Sequence, residues 1–482
     1  MPAKYTQHFQ TKETPQSEPI PGKAMVPNSA GGYTYTIDDW ARLERFLVLG
    51  SEGGSYYATE RKLTKENGEA ALRCIQADGP RAVQTIVNIS DQGRAPKNDP
   101  ALFALAMASA LGNDDTRKAA FAALPLVARI GTHLFTFLEY RKAFAGRGRG
   151  FKRAITNWYL SKSIDDAAFQ FAKYQQRNGW SHRDILRLVK PKAPSQDWND
   201  LFAWVTSKPY GKLPRLIFGM ELAKLPTNSE ARAQYIKDYG LQREMLPTEW
   251  LTDPDVWAAL LVDMPMTALV RNLGNLSKCG LLAPMSEAER TVVAHLTDTE
   301  RLQKSRLHPL AILVALTVYS QGSGMRSSSE WIVSSKVVDA LNAAFHAAFK
   351  NVEPANKRHL LALDVSGSMG GGQIAGMPIT PRVGAAAMAL VTARTEPQTH
   401  TMCFSDEFRE FPISTHASLE SVVQQMTAQR FGGTDCALPM LYALEHKLPV
   451  DAFIVYTDNE TWCGEIHPCQ ALELYRQKMG IP

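Results

Sequence analysis

Cysteine is scarce in this chain. Six in 482 residues, at positions 74, 279, 403, 436, 463 and 469, are too few for a disulfide framework and show no metal-ligand spacing. A reducing compartment, with the cytoplasm as the default location, is therefore expected. Long apolar runs are missing as well. The best of them, Ala101 to Leu111 and Leu310 to Val318, fall short of the ~20 residues a membrane span requires, so no membrane partner is expected. The amino-terminal stretch MPAKYTQHFQTKETPQ has no apolar core, so neither a signal peptide nor an amphipathic transit sequence is expected. No G-K-[ST] follows the glycines at 146–150, which excludes a phosphate loop there. Strong apolar-polar alternation is absent before residue 350, and an all-α region is expected up to that point.

What is present begins with size: 482 residues exceed what one core organises, so two or more domains are expected. Net charge is only +5, but it is unevenly spread. Residues 355–482 hold 9 Lys plus Arg against 13 Asp plus Glu, a balance of −4, which leaves +9 for residues 1–354. The window Arg141 to Lys190 carries 12 basic residues against Asp165, Asp166 and Asp184, again +9, so one stretch holds the entire excess. Such concentration is the electrostatic footprint of a nucleic-acid-binding face.

Residues 1–32 are rich in Pro, Gly, Ser and Gln and read as an extended arm. Tyr33 to Ile37 can form a short strand, and helix follows helix from Asp38 to Phe349. The last of these carries Val338, Leu341, Phe345 and Phe349 on one stripe. Helix pairs recurring every ~40 residues suggest an α-solenoid of the HEAT type over 33–354, with a long face suited to an elongated partner. Within the basic window, GRGRGFKRAITNWYL sets Arg147, Arg149, Lys152 and Arg153 in a glycine-arginine turn and the helix after it. In FAKYQQRNGWSHRDILRLVKPK, Lys173 and Arg177 close one helix, and Ser181 with Asp184 starts the next, whose free amides form an anion site. His182, Arg183 and Arg187 project from its first two turns. The cations suit phosphates, and Tyr174, Trp180 and His182 can stack on unpaired bases. Trp158 and Trp180 read first as core anchors.

The stretch LLALDVSGSM, Leu360 to Met369, has a different character. A buried strand opens at its carboxyl end into a loop bearing Asp364, Ser366 and Ser368. The turn FGGTD, 431–435, presents Thr434, and a second buried strand in DAFIVYTD ends at Asp458. Asp, Ser and Thr oxygens are hard donors suited to Mg²⁺ or another divalent cation. The five side chains Asp364, Ser366, Ser368, Thr434 and Asp458 resemble the metal-ion-dependent adhesion site of von Willebrand factor A domains. Such a site keeps one position open for a carboxylate or phosphate oxygen of a ligand. No His, Cys or Lys in these motifs can serve as nucleophile or general base, so no catalytic residue and no enzyme is expected. His359, before the strand, reads as a surface residue.

Eight blocks in collinear order extend the resemblance to nearly the whole chain: RFLVLGSEGGSYYATERKL, THLFTFLEYRK, KRAITNWY, KYQQRNGWSHRDILRL, LHPLAILVAL, LALDVSGSM, GGTDCALPM and YTDNETW. They look like the Ro autoantigen family, whose amino-terminal part is the TROVE module. The resemblance implies a mainly α protein, a ring of HEAT-like helices closed by an α/β, Rossmann-like von Willebrand A domain at 355–482. It further implies small noncoding Y RNA on the outer surface and single-stranded 3′ ends of defective RNA in the central hole. An exoribonuclease is the implied protein partner. Carried over by motif, the Y RNA face comprises Lys173, Arg177, His182, Arg183 and Arg187, with Arg147, Arg149, Lys152 and Arg153 nearby. The A-type domain is shorter than such domains usually run, so a truncated sheet lacking its last strands is expected. The other reading is a metal-dependent protein-interaction module with the helices as support.

Overall fold

The computed structural model describes residues 13–481 except 29, 51–59, 96, 145, 147, 226, 325–328, 375–376, 415, 431 and 459–460; over 60–67 it describes the backbone alone. Capping and apolar spacing explain the helices. Gly79–Asp91 starts at Asp78, whose carboxylate accepts from the Arg81 amide, and buries Ala82, Val83, Ile86 and Ile89 along one stripe. Asp99–Leu111 is apolar nearly all round and is accordingly central, with Leu102, Ala104, Leu105 and Ala108 buried and helices 79–91, 114–127 and 131–142 packed about it. Farther on, each helix rests on one a short step along the chain: 114–127 on 149–160, 149–160 on 182–189, 164–173 on 196–205 and 215–222. Local packing of this kind is the solenoid arrangement that the helix repeat predicts.

Two compact units result, one holding residues 13–36 and 264–481, the other 37–50 and 60–263. The helices from Met266 onward thus cluster with the carboxyl-terminal α/β segment.

Two small ladders precede residue 350: β1 (Met25–Pro27) pairs with β2 (Tyr33–Tyr35), the short strand expected at 33–37, and within the helical region that starts at Asp38, expected to be all-α, β3 (Gln176–Arg177) pairs with β4 (Trp180–Ser181). Between β3 and β4, Asn178 (φ 52°) and Gly179 (φ 75°) supply the left-handed pair that a two-residue hairpin demands. The described part of the expected arm is likewise not free. Gln16 is fully buried, and its amide nitrogen donates to Asp435 Oδ1 and Ile466 O, both at 2.8 Å. Its oxygen accepts from Thr461 Oγ1, and its backbone amide donates to Gly464 O at 2.9 Å. A polar, Pro-rich composition hid a side chain that satisfies several buried partners at once.

The α/β segment is a four-stranded sheet of β5 (Arg358–Asp364), β6 (Gln398–Phe404), β7 (Phe408–Glu410) and β8 (Ala452–Tyr456) in the order β7-β6-β5-β8. β5 is parallel to both β6 and β8, while β7 runs antiparallel on β6. Leu360 and Ala362 face the core with Phe404, Leu441 and Tyr475, and helix Pro381–Thr395 packs against β5 and β6. The carboxyl ends of β5 and β8 therefore open at one edge, beside the point where the chain switches sides of β5. Among the described residues β8 is paired on one side only. His359 is 5% exposed rather than superficial, with Nδ1 3.8 Å from Glu396 Oε2.

Candidate nucleic-acid interface and metal centre

The basic window folds into helices 149–160, 164–173 and 182–189 with the β3–β4 hairpin between the last two. Arg149, Lys152 and Arg153 are exposed on the first of these helices because Phe151, Ala154, Ile155 and Trp158 take its buried stripe. Arg183 and Arg187 are exposed on the third, opposite buried Ile185, Leu186 and Val189. Lys173 is half-buried, its ammonium 5.3 Å from the centre of the Phe169 ring, and Arg177 in β3 lies 4.0 Å from Asp99. Arg147 lies outside the described residues. Trp158 is fully buried and donates to Ala128 O, whereas Trp180 is half-buried with its indole nitrogen 2.9 Å from Glu139 Oε2.

His182 is a correction. It is 3% exposed, with Nδ1 2.8 Å from Tyr159 Oη and Nε2 3.2 Å from Gln170 O, packed against Phe135 and Phe171. Burial pushes its pKa down to about 3, so the ring is neutral and belongs to the core rather than to a base-stacking surface. A Cβ at Gly131 would sit 2.9 Å from His182 Nε2, so glycine there makes room for the ring. The helix start is real, but Ser181 and Asp184 form a capping box with each other. Asp184 N donates to Ser181 Oγ, so that amide is not open to an anion.

A cleft of about 800 Å³ opens beside Arg183 and is shared with Trp204, Ser207, Lys208, Tyr210 and Lys224. These last five escaped the sequence reading because they follow the basic window; the run SKPYGK at 207–212 marks Ser207, Lys208 and Tyr210, while Trp204 and Lys224 carry no such signal. A second hollow of about 540 Å³ joins Arg187 to Lys142 and Trp180. Arg149, Lys152 and Arg153 line neither of the two.

At the sheet edge, fully buried Asp364 accepts through Oδ1 from the Ser366 amide and through Oδ2 from Thr457 Oγ1, both at 2.7 Å. Ser366 Oγ and Ser368 Oγ are 3.1 Å apart. Burial raises the Asp364 carboxyl above the ordinary range; its hydrogen bonds oppose this and Asp458 adds to it. Asp458 Oδ2 is buried with no hydrogen-bond partner among the described residues. Thr434 is 4% exposed, and its carbonyl accepts from Thr461 Oγ1 at 3.2 Å and from the Trp462 and Cys463 amides. Burial first, then a hydroxyl bond and the charges of Asp364 and Asp458, leave the neighbouring Cys436 thiol at about 12, so the Thr434 loop shares this electrostatic environment. Phe431 lies outside the described residues. Thr457, Thr461 and Asp435, which brace these loops, carry no motif of their own and were not anticipated. Two carboxylates, clustered hydroxyls and an orphaned buried oxygen make a donor set that fits a hard cation. Among the described residues no group of three His, Cys, Asp or Glu side chains is placed to hold a metal, so hydroxyls are needed in the set.

Family models match both segments: the TROVE domain over residues 26–213 and 239–318, and the Ro60 vWA domain over 358–482. "RNA-binding protein RO60" of Deinococcus radiodurans is 43% identical over 476 residues, 97% of this chain and 89% of that one. The protein of the same name from Caenorhabditis elegans is 34% identical over 538 residues, covering 95% and 83%. The crystal structure of Deinococcus radiodurans RO (RSR) protein superposes with a TM-score of 0.79 over 92% of this chain and 90% of that chain. Helical repeats, an A-type sheet and these matches along almost its whole length establish that the chain belongs to the TROVE-domain Ro family.

Proposed function

We propose that this protein is a Ro-type RNA-binding scaffold and not an enzyme. The observation that carries the reading is the set of exposed cations Arg149, Lys152, Arg153, Arg183 and Arg187, for which no ion pair exists among the described residues. Cations that helices hold outward and leave uncompensated are suited to release counterions from a phosphate backbone. Small structured noncoding RNA of the Y RNA kind is the ligand class for this face, and single-stranded 3′ ends are the second class. An exoribonuclease that receives the RNA is the partner class, and six free thiols agree with a cytoplasmic setting. The test is fluorescence anisotropy with a labelled hairpin bearing a single-stranded tail, repeated across salt. Binding that weakens steeply with salt supports the reading; absent or salt-insensitive binding overturns it.

A second reading is favoured by the unpartnered Asp458 Oδ2. Asp364, Ser366, Ser368, Thr434 and Asp458 would hold Mg²⁺, which supplies a charged docking point for a carboxylate or phosphate oxygen of a partner. Titration calorimetry with millimolar Mg²⁺ decides it, since no heat means the oxygens do not act as ligands. Asp364→Ala is expected to abolish that heat while leaving RNA affinity intact.

A further inference from the structure

We propose that the cleft beside Arg183 is a pocket for one nucleotide, with its base on an aromatic face and its phosphate on the surrounding cations. This rests on the RNA-binding reading and narrows it to a single site. The loop that forms the far wall is fixed at several points. Ser207 N donates to Trp204 O (3.1 Å), Lys208 N to Ala203 O (2.9 Å) and Gly211 N to the buried carboxylate of Asp200 (3.0 Å). A Cβ at Gly211 would lie 2.8 Å from Asp200 Oδ2, so the close approach requires glycine. Ser207 has φ 56°, in the left-handed region that Ser seldom adopts. Such an outlier persists where surrounding bonds over-determine it, and it gathers at binding sites.

The fixed loop sets the charges. Ser207 Oγ accepts from Arg183 Nη2 (2.6 Å) and Val205 O from Arg183 Nε (3.4 Å), leaving Nη1 uncommitted among the described residues. Lys208 is exposed, with no partner among the described residues. The same loop presents Tyr210, 46% exposed, and no hydrogen bond holds its hydroxyl among the described residues. Across the cleft, Trp204 is held by its edge: Nε1 donates to Glu221 Oε1 (2.8 Å), which also accepts from Lys224 Nζ (2.5 Å).

Aromatic faces beside an exposed lysine and a guanidinium with one uncommitted nitrogen match a molecule that carries both a π face and a phosphate. Inorganic phosphate would leave the aromatics unused, and a purely apolar ligand would strand the charges. The volume of about 800 Å³ lies in the ~300–1,000 Å³ range of ligand clefts. Because the loop is already ordered, little conformational freedom is lost on binding.

The test compares two labelled RNA hairpins by anisotropy, one fully paired and one with a single unpaired adenosine, against the wild-type chain, Tyr210→Ala and Tyr210→Phe. The wild type is expected to prefer the unpaired adenosine roughly tenfold, the scale of one base stacked on an aromatic ring. Tyr210→Ala should erase the preference and Tyr210→Phe should keep it, with both variants binding the paired hairpin as the wild type does. Saturation-transfer NMR with adenosine 5′-monophosphate separates the sources. A signal lost in Tyr210→Ala extends the pocket to free nucleotide, and no signal beside a retained hairpin preference restricts it to polymer. Equal binding of the two hairpins by the wild type, or a preference that survives Tyr210→Ala, overturns the pocket while leaving the RNA reading standing. Failure to bind either hairpin overturns both.

Discussion

At the scale of single residues, the most informative side chain is one that sequence motifs place at the surface and folding places inside. His182 sits beside Arg183 in SHRD, which is why the sequence groups it with the basic residues. Its helix position, three before Ile185 and four before Leu186, turns it inward instead. Replacing it with Ala leaves the Tyr159 hydroxyl buried and unpaired, and a loss of about 2–4 kcal/mol is expected from the unsatisfied group together with the cavity. Denaturant unfolding should detect this, with any change in RNA affinity confined to the unfolded fraction. The chemistry of the metal loops gives a second residue-scale expectation. Asp364→Asn keeps an acceptor for Ser366 N, replaces the oxygen facing Thr457 Oγ1 by an amide that donates to that hydroxyl, and removes the repulsion between Asp364 and Asp458. Without Mg²⁺ the variant should melt no lower than the wild type, and added Mg²⁺ should raise only the wild-type melting temperature.

At the scale of elements, strands and helices were legible wherever local pattern and packing agree. The ends of β5 and β8 fall where LLALD and AFIVY stop being apolar. The stripe on helix Ser335–Ala347 holds for Leu341 and Phe345 and continues to Phe349. Segment 13–32 and the cleft loop 206–211 were not legible, although the short strand expected at 33–37 is there as β2. Their form is dictated by partners remote in sequence, Asp435 and Ile466 for Gln16 and Asp200 for Gly211, and no periodicity announces such pairings. The helix that presents Arg183 and Arg187 depends on its capping box. Ser181→Ala should cost about 1 kcal/mol in chemical denaturation. RNA affinity should fall further than the loss of a neutral hydroxyl explains, because Arg183 rides on that first turn and Arg187 on the next.

At the scale of the whole molecule, buried titratable groups couple stability to pH in both units. His133, at about 4, and His182, at about 3, are neutral in the unit spanning 37–263. Below the ordinary histidine range its unfolded chain binds more protons than the folded one, so its stability rises with pH up to about 6.5, by about 1.4 kcal/mol per pH unit for each proton. Burial raises Asp435 to about 6 in the other unit, whose folded state binds the extra proton above the ordinary carboxylate range. That contribution is complete at low pH and is lost as pH rises through about 6. Calorimetry at pH 5 and pH 7 should show the 37–263 unit melting higher at pH 7, whereas in the other unit the Asp435 contribution is opposed by His295, His308 and His346, whose pKa values burial also lowers. Salt provides the other global measurement. Lys152→Ala with Arg153→Ala should reduce the slope of log affinity against log salt by about 1.4 to 1.8, two phosphate contacts' worth, with little dependence on RNA sequence.

The burial of Gln16 also sets a timetable for synthesis. Its partners Asp435 and Ile466 lie 419 and 450 residues downstream, so the early segment leaves the ribosome long before anything exists to receive it. Closing so long a loop is entropically slow, and the last structural step of this unit is the capture of its own beginning. Until then a polypeptide stalled short of residue 461 carries a dangling start and lacks the Thr461 and Ile466 partners of Gln16, a nascent state that chaperones and proteases are equipped to recognise.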